Sequence, residues 1–197
     1  MAVSDIIITP CKIYYAAVGA TAPADTVAAG GAWPSSWTAL GYTGTPLSVE
    51  IKRDPAVADI QESLTPIQRG FKKESLIAET TLAEFLTSQV ALILSGTYSQ
   101  TAAGAGQPAK DELVGGDVTS ATERCWGFEG SYISAAGVTH PIRFYIWRGV
   151  AEMGCKLEFG KSENTGTTLR VVANPDMGKA AGQRLFKLVK ITAAATG

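Results

Sequence analysis

The chain has 197 residues, 46% of them hydrophobic and 18% charged, a balance that fits one domain with a real core and excludes disorder as the default. Lys and Arg number 17 against 18 Asp and Glu, and the net charge of -1 excludes a global electrostatic pull toward nucleic acid or an anionic membrane. No apolar run approaches the roughly 20 residues of a spanning helix, and Met1-Ala2-Val3-Ser4-Asp5 lacks the basic start of a secretion signal, so the product is expected in the cytoplasm when made, with no membrane partner.

Ile6-Ile7-Ile8, ahead of Pro10, suits an edge strand or arm, and Lys12 to Val18 reads as the first full strand, with Ile13, Tyr15 and Ala17 on one face. Gly19 to Ser36 follows as a loop of Gly, Ala, Pro and Thr, too small in side chain to hold itself rigid. Trp33 and Trp37 at its end are expected to pin it to its own domain, because a buried Trp supplies large contact area.

The strongest pattern follows. Leu47, Val49 and Ile51 alternate along a strand, Arg53-Asp54-Pro55 forms a charged bend, and an extended run reaches Glu62. The chain returns from Phe71 to Glu79, which makes a long hairpin. Thr81 and Glu84 have the spacing of a capping box, and Leu82, Phe85, Leu86, Leu92 and Ile93 recur at helical spacing before Ser95-Gly96. This predicts a helix of about 13 residues packed across a sheet.

Thr97 to Ala121 reads as a second loop, rich in Gly and Ala with Pro108, Lys110, Asp111 and Glu112. It exceeds the usual ceiling of ~12–15 residues for a structureless connection. The last third is the cleanest β sequence. Trp126, Phe128 and Tyr132 alternate with Cys125, Gly127 and Glu129, and Ile142, Phe144 and Ile146 with Arg143, Tyr145 and Trp147. Met153, Cys155, Leu157 and Phe159 then alternate with Gly154, Lys156 and Glu158. Thr168 to Ala173 and Arg184 to Ile191 complete the set around an Asn174-Pro175-Asp176 turn. Eight or nine strands with one helix predict a mostly β fold in a single domain over residues 1–197: an antiparallel β-sandwich or barrel with one flanking α-helix and a long hairpin.

The chemistry of catalysis is thin. Cys11, Cys125 and Cys155 stand far apart with no CxxC pair, against a zinc or thioredoxin-type site, and Cys125 and Cys155 are expected to be small buried apolar residues. His140, the only histidine, is expected at a surface or strand edge, where neither a metal cluster nor a Ser-His-Asp arrangement can be assembled. Gly127-Phe128-Glu129-Gly130 and Gly104-Ala105-Gly106 lack the strand-to-helix setting of a phosphate loop, and pairs such as Glu158 with Glu163 are of a kind that any chain this long supplies. No catalytic, cofactor-binding or metal-binding residue is assigned, and the chain is read as not an enzyme. An unrelated β-barrel binding module stays open as an alternative.

The run Ile13-Tyr14-Tyr15-Ala16-Ala17-Val18-Gly19-Ala20-Thr21-Ala22-Pro23, a small-residue loop, and Trp37-Thr38-Ala39-Leu40-Gly41-Tyr42-Thr43 before the strand Leu47–Ile51 resemble the opening of tail tube (major tail) proteins of long-tailed bacteriophages. Glu74–Glu79 and Thr80-Thr81-Leu82-Ala83-Glu84 follow in the order of that family, and the match of features runs to about residue 95. The resemblance implies a virion structural protein, assembled in the host cytoplasm. It forms stacked hexameric rings whose shared inner β-barrel conducts the genome during DNA ejection, with no cofactor. The implied partners are copies of itself, tape measure, terminator and distal tail proteins, and genomic DNA passing without specific binding. A tube ring of a contractile or secretion system, or another tail component such as a terminator, is the alternative. Leu47, Val49, Ile51, Phe71 and Ile77 are expected to form the inter-subunit hairpin, and Glu50, Asp59 and Glu62 to line an acidic lumen. At least one of the two loops is expected to be ordered only by an adjacent ring or subunit.

Overall fold

A computed structural model describes residues 6–7, 11–24, 33–58, 68–84, 86–134, 137–152 and 167–192. The predicted strand Met153–Phe159 lies outside them, as do Asp59 and Glu62.

The described chain is mostly β, as expected. Its strands are β1 (Ile6–Ile7), β2 (Lys12–Ala16), β3 (Thr38–Tyr42), β4 (Ser48–Ala58) and β5 (Gln68–Leu82), then a helix α1 (Thr87–Ile93). After the helix come β6 (Thr97–Thr101), β7 (Lys110–Val114), β8 (Glu123–Ile133), β9 (Thr139–Ala151), β10 (Thr167–Ala173) and β11 (Phe186–Lys190). One antiparallel sheet runs β3-β2-β8-β9-β10-β5-β4, with β1 added to β8 and β11 to β9.

The sheet folds back on itself. Thr43, just past β3, bridges Leu82 at the end of β5, and the Gly44 N–H donates to the Thr81 carbonyl at 2.6 Å. The path β3-β2-β8-β9-β10-β5 therefore returns to its start, and the apolar phase of each strand points inward. Ile13, Leu40, Leu76, Ala78, Leu82, Trp126, Phe128, Ile146, Leu169 and Val171 meet in one buried cluster, joined by Ile93 of α1. Sandwich and barrel are two descriptions of this arrangement: closed at one end, open where β4 leaves the body.

The long pair β8–β9 is buried on both faces, because the side opposite that core is covered too. There Trp33 stacks on Tyr14 (centroids 4.1 Å apart), meets Trp37 edge-on at 4.9 Å, and lies over Gly127. A Cβ at Gly127 would run into the Trp33 six-membered ring, so glycine here is a requirement of close approach. The Trp37 indole N–H donates to the Thr21 carbonyl at 2.7 Å. The two Trp residues thus pin the described ends of the 19–36 loop to their own domain, and those ends need no neighbour for order. Beneath Trp33, Glu129 accepts from its indole N–H at 3.1 Å and from the Arg143 Nε at 2.6 Å, which holds a fully buried guanidinium beside a carboxylate.

Three expectations are corrected. The helix starts at Thr87, not at Thr81, because Thr167–Val172 of β10 pair with Ile77–Leu82 and carry β5 through the supposed cap. The side chain that serves the helix start is Gln89, whose Oε1 accepts from the Leu86 N–H at 3.3 Å while its amide donates to the Leu40 carbonyl. The segment 97–121 is not a bare loop: β6 and β7 pair over Thr97↔Val114 to Thr101↔Lys110, closed by a Gly104–Gln107 turn. His140 stands near the start of β9, as expected, but is buried rather than at the surface, because it lies opposite the buried Tyr132 with ring centroids 5.7 Å apart.

Candidate assembly surface

Every residue on β4 from Ser48 to Ala58 has a partner on β5, and the register fixes which side chains share a face. Val49 sits opposite Ala78, Ile51 opposite Leu76, Arg53 opposite Glu74, and Pro55 opposite Phe71. Glu50 sits opposite Ile77, Lys52 opposite Ser75, and Asp54 opposite Lys73. Directly opposed residues lie on the same side of a sheet, so the hairpin is two-faced. One side, continuous with the buried Leu76 and Ala78, is apolar through Ile51 and then carries Arg53, Glu74, Pro55 and Phe71. The other carries Ser48, Glu50, Lys52, Asp54, Lys73, Ser75 and Glu79.

This placement sorts the predicted assembly residues. Leu47, Val49, Ile51 and Phe71 fall on the apolar side, where Phe71 holds the Arg53 guanidinium over its ring at 5.4 Å and Arg53 pairs with Glu74 at 2.8 Å. Ile77 falls on the polar side, opposite Glu50. Glu50 itself bonds Lys52 at 2.9 Å, an exposed pair one repeat along the same face.

The hairpin departs from its own body beyond Ile51. β10 covers the far edge of β5 only from Ile77 to Leu82, so that edge is unpaired from Gln68 to Leu76, and the outer edge of β4 is unpaired throughout, among the described residues. β10 and β11 are collinear along β9, the first opposite Gly149–Ala151 and the second opposite Ile142–Ile146, yet β11 takes no bond from β5. The sheet splits there.

The split opens an apolar mouth of about 720 Å³. Leu47, Val49 and Ile51 form one wall, and Phe128, Ile142, Phe144, Phe186 and Leu188 the other, with Cys11 and Thr43–Pro46 at its inner end. Burial, helped by the Glu129 carboxylate, pushes the Cys11 thiol up to about 12, so it stays protonated and unreactive. The far wall was visible in the sequence only as the apolar phase of two strands and a C-terminal segment. Nothing in their pattern shows that β4 stands away from them.

Comparison with known proteins gives the family of the chain. A model of the family described as phage tail tube protein matches residues 4–181, which takes in every element from β1 to β10. The chain belongs to the phage tail tube protein family. No curated protein matches the chain. As a tail tube protein it is a structural component of a bacteriophage tail and assembles with other tail proteins. A long exposed strand edge, such as those of the hairpin among the described residues, templates further pairing unless something covers it.

Proposed function

We propose that six copies of this chain close a ring through the β4–β5 hairpin, and that stacked rings form the conduit through which the genome leaves. The single observation that carries the reading is the two-faced hairpin with unpaired edges. Its apolar side continues into the core of its own domain, so the polar side with Glu50, Lys52, Asp54, Lys73, Ser75 and Glu79 is the one left to face water.

Geometry decides how many strands each copy supplies. Two strands from each of six copies, about 4.8 Å apart and tilted about 45°, close at a backbone radius of about 13 Å, and inward side chains then leave no passage for a duplex about 20 Å across. Four strands per copy raise the radius to about 26 Å, which leaves ample room. The order β4-β5-β10-β9, with β11 prolonging β10, supplies four adjacent strands.

The polar face of the hairpin holds three carboxylates and two lysines, with Arg170 of β10 opposite Glu79. It offers no basic excess, so DNA passes without being held by counterion release. Glu50, on this face, is proposed to line the lumen, with Asp59 and Glu62 extending it. Negative-stain micrographs of the purified protein test the reading: six-fold rings or hollow tubes are expected, and a protein that stays monomeric at all concentrations refutes it.

A further inference from the structure

Resting on the ring reading, we infer that the apolar mouth between β4 and β11 is the socket for the outer part of β5 of a second copy, with Phe71 as the anchoring side chain. Phe71 is 66% exposed, more than any other aromatic residue described as exposed. It sits opposite Pro55, four positions beyond Ile51, so it stands about 13 Å past the last mouth residue of its own β4 and does not line its own mouth. The mouth has the reverse defect: Val49, Ile51 and Leu188 line it and remain 37%, 42% and 57% exposed. One chain thus carries an unburied aromatic plug and an unfilled apolar socket at different places, the arrangement that yields a heterologous, head-to-tail contact.

The pattern of the hairpin selects it over the other free segments. A strand entering between β4 and β11 needs an apolar side toward the mouth, a polar side toward water and an unpaired edge. Between Phe71 and Ser75, β5 meets these needs with Phe71 as its free apolar contact, Glu74 on the same side neutralised by its Arg53 pair, Lys73 and Ser75 on the other side, and no partner on its far edge among the described residues. The β6–β7 ribbon is exposed on both faces and presents polar side chains to either, with Tyr98 and Val114 as its exposed large apolar residues. An aromatic residue entering a dry apolar pocket is also the usual centre of binding energy in an interface.

Cysteines at Phe71 and Leu188 test the contact. In assembled protein, Phe71→Cys with Leu188→Cys in one chain and a short bismaleimide is expected to give a ladder of covalent oligomers, while either single variant gives none. These variants are made in a chain whose three native cysteines, Cys11, Cys125 and Cys155, are replaced by Ser, so that only the introduced thiols react. Phe71→Ala is expected to raise the concentration needed for assembly about 30-fold or more, the loss from one unburied Phe side chain, with Phe71→Trp retaining assembly. Because Phe71 is exposed in the single chain, its melting temperature should not move. Rings that form with no inter-subunit ladder, or Phe71→Ala assembling at the wild-type concentration, overturn the socket while leaving the ring reading intact. Wild-type protein that forms no ring overturns both.

Discussion

Proline at Ile51 separates the inner ladder of the hairpin from its outer edge. Pro55 already stands in β4 without an N–H, so its nitrogen is turned to the edge that β5 does not use. The irregularity between Asp54 and Pro55 places its extra residue, Lys72, on β5 and leaves the phase of β4 unbroken. Period-two alternation therefore turns the N–H groups of Val49 and Ile51 to the outer edge as well. Ile51→Pro removes no bond to β5. Ile51 is 42% exposed, so the folded chain loses part of one side chain's burial, about 1 kcal/mol. At the ring contact the same change leaves a carbonyl of the neighbouring strand unsatisfied, about 1–3 kcal/mol, or about 5- to 150-fold in affinity for each contact. Combining it with Val49→Pro should abolish rings at concentrations where the wild type assembles fully. Sedimentation velocity reads the assembly, and a thermal melt verifies that the chain stays folded. Normal tubes from a well-folded double-proline variant would refute the role of the β4 edge.

Gly127→Ala drives a methyl group into the Trp33 ring and should cost about 1–3 kcal/mol, read as a lower melting temperature with a shifted Trp emission; an unchanged melt would mean that Trp33 does not seat there. Glu123 is held below the usual carboxylate range first by the Arg148 hydrogen bond and then by that of Asn174. A depressed folded value contributes stability above the unfolded carboxylate value and loses it as pH falls through the folded one. The advantage of wild type over Glu123→Gln in melting temperature is thus present at neutral pH and should vanish on acidification below about pH 4. It is small even at its largest, because the pair is partly exposed. Replacing Glu50, Asp59 and Glu62 together by Lys should leave tubes intact and slow DNA ejection, more so at low salt; ejection kinetics unchanged at every salt concentration would remove these residues from the lumen.

Strand content, the long hairpin and its amphipathic phase were legible because burial on one face writes itself into sequence as alternation. Ile13 with Trp126 and Phe128, and Val49 with Ile51, are cases where composition and position agree. The β6–β7 ribbon was missed for the same reason: both its faces meet water, so Thr97–Thr101 and Lys110–Val114 carry no period-two signal. Thr81 and Glu84 misled because a capping box is a local pattern, while the strand β10 that claims Thr81 arrives from 87 residues further along the chain, at Thr168. Of the assembly surface, the hairpin wall was readable and the opposite wall was not, since Phe186 and Leu188 acquire meaning only through the split between β5 and β11.

That split divides the chain into an end that closes on itself and an end that does not. The closed end of the barrel holds the large buried residues, Trp126, Phe128, Leu76 and Ile146, together with the Glu129–Arg143 pair that fixes the aromatic layer above it. It needs nothing from outside. The open end holds Val49, Ile51 and Leu188 half in water, Phe71 66% exposed, and the outer edge of β4 without a partner among the described residues. Each of these defects is of the kind a second strand with an apolar face removes, and covering them together favours a contact of fixed register over a merely sticky one, because slipping by one residue would turn Glu50 and Lys52 into the mouth and Val49 and Ile51 out to water. On the proposed ring, the phase that gives the tube its wet inner wall is therefore the same phase that sets how its subunits meet.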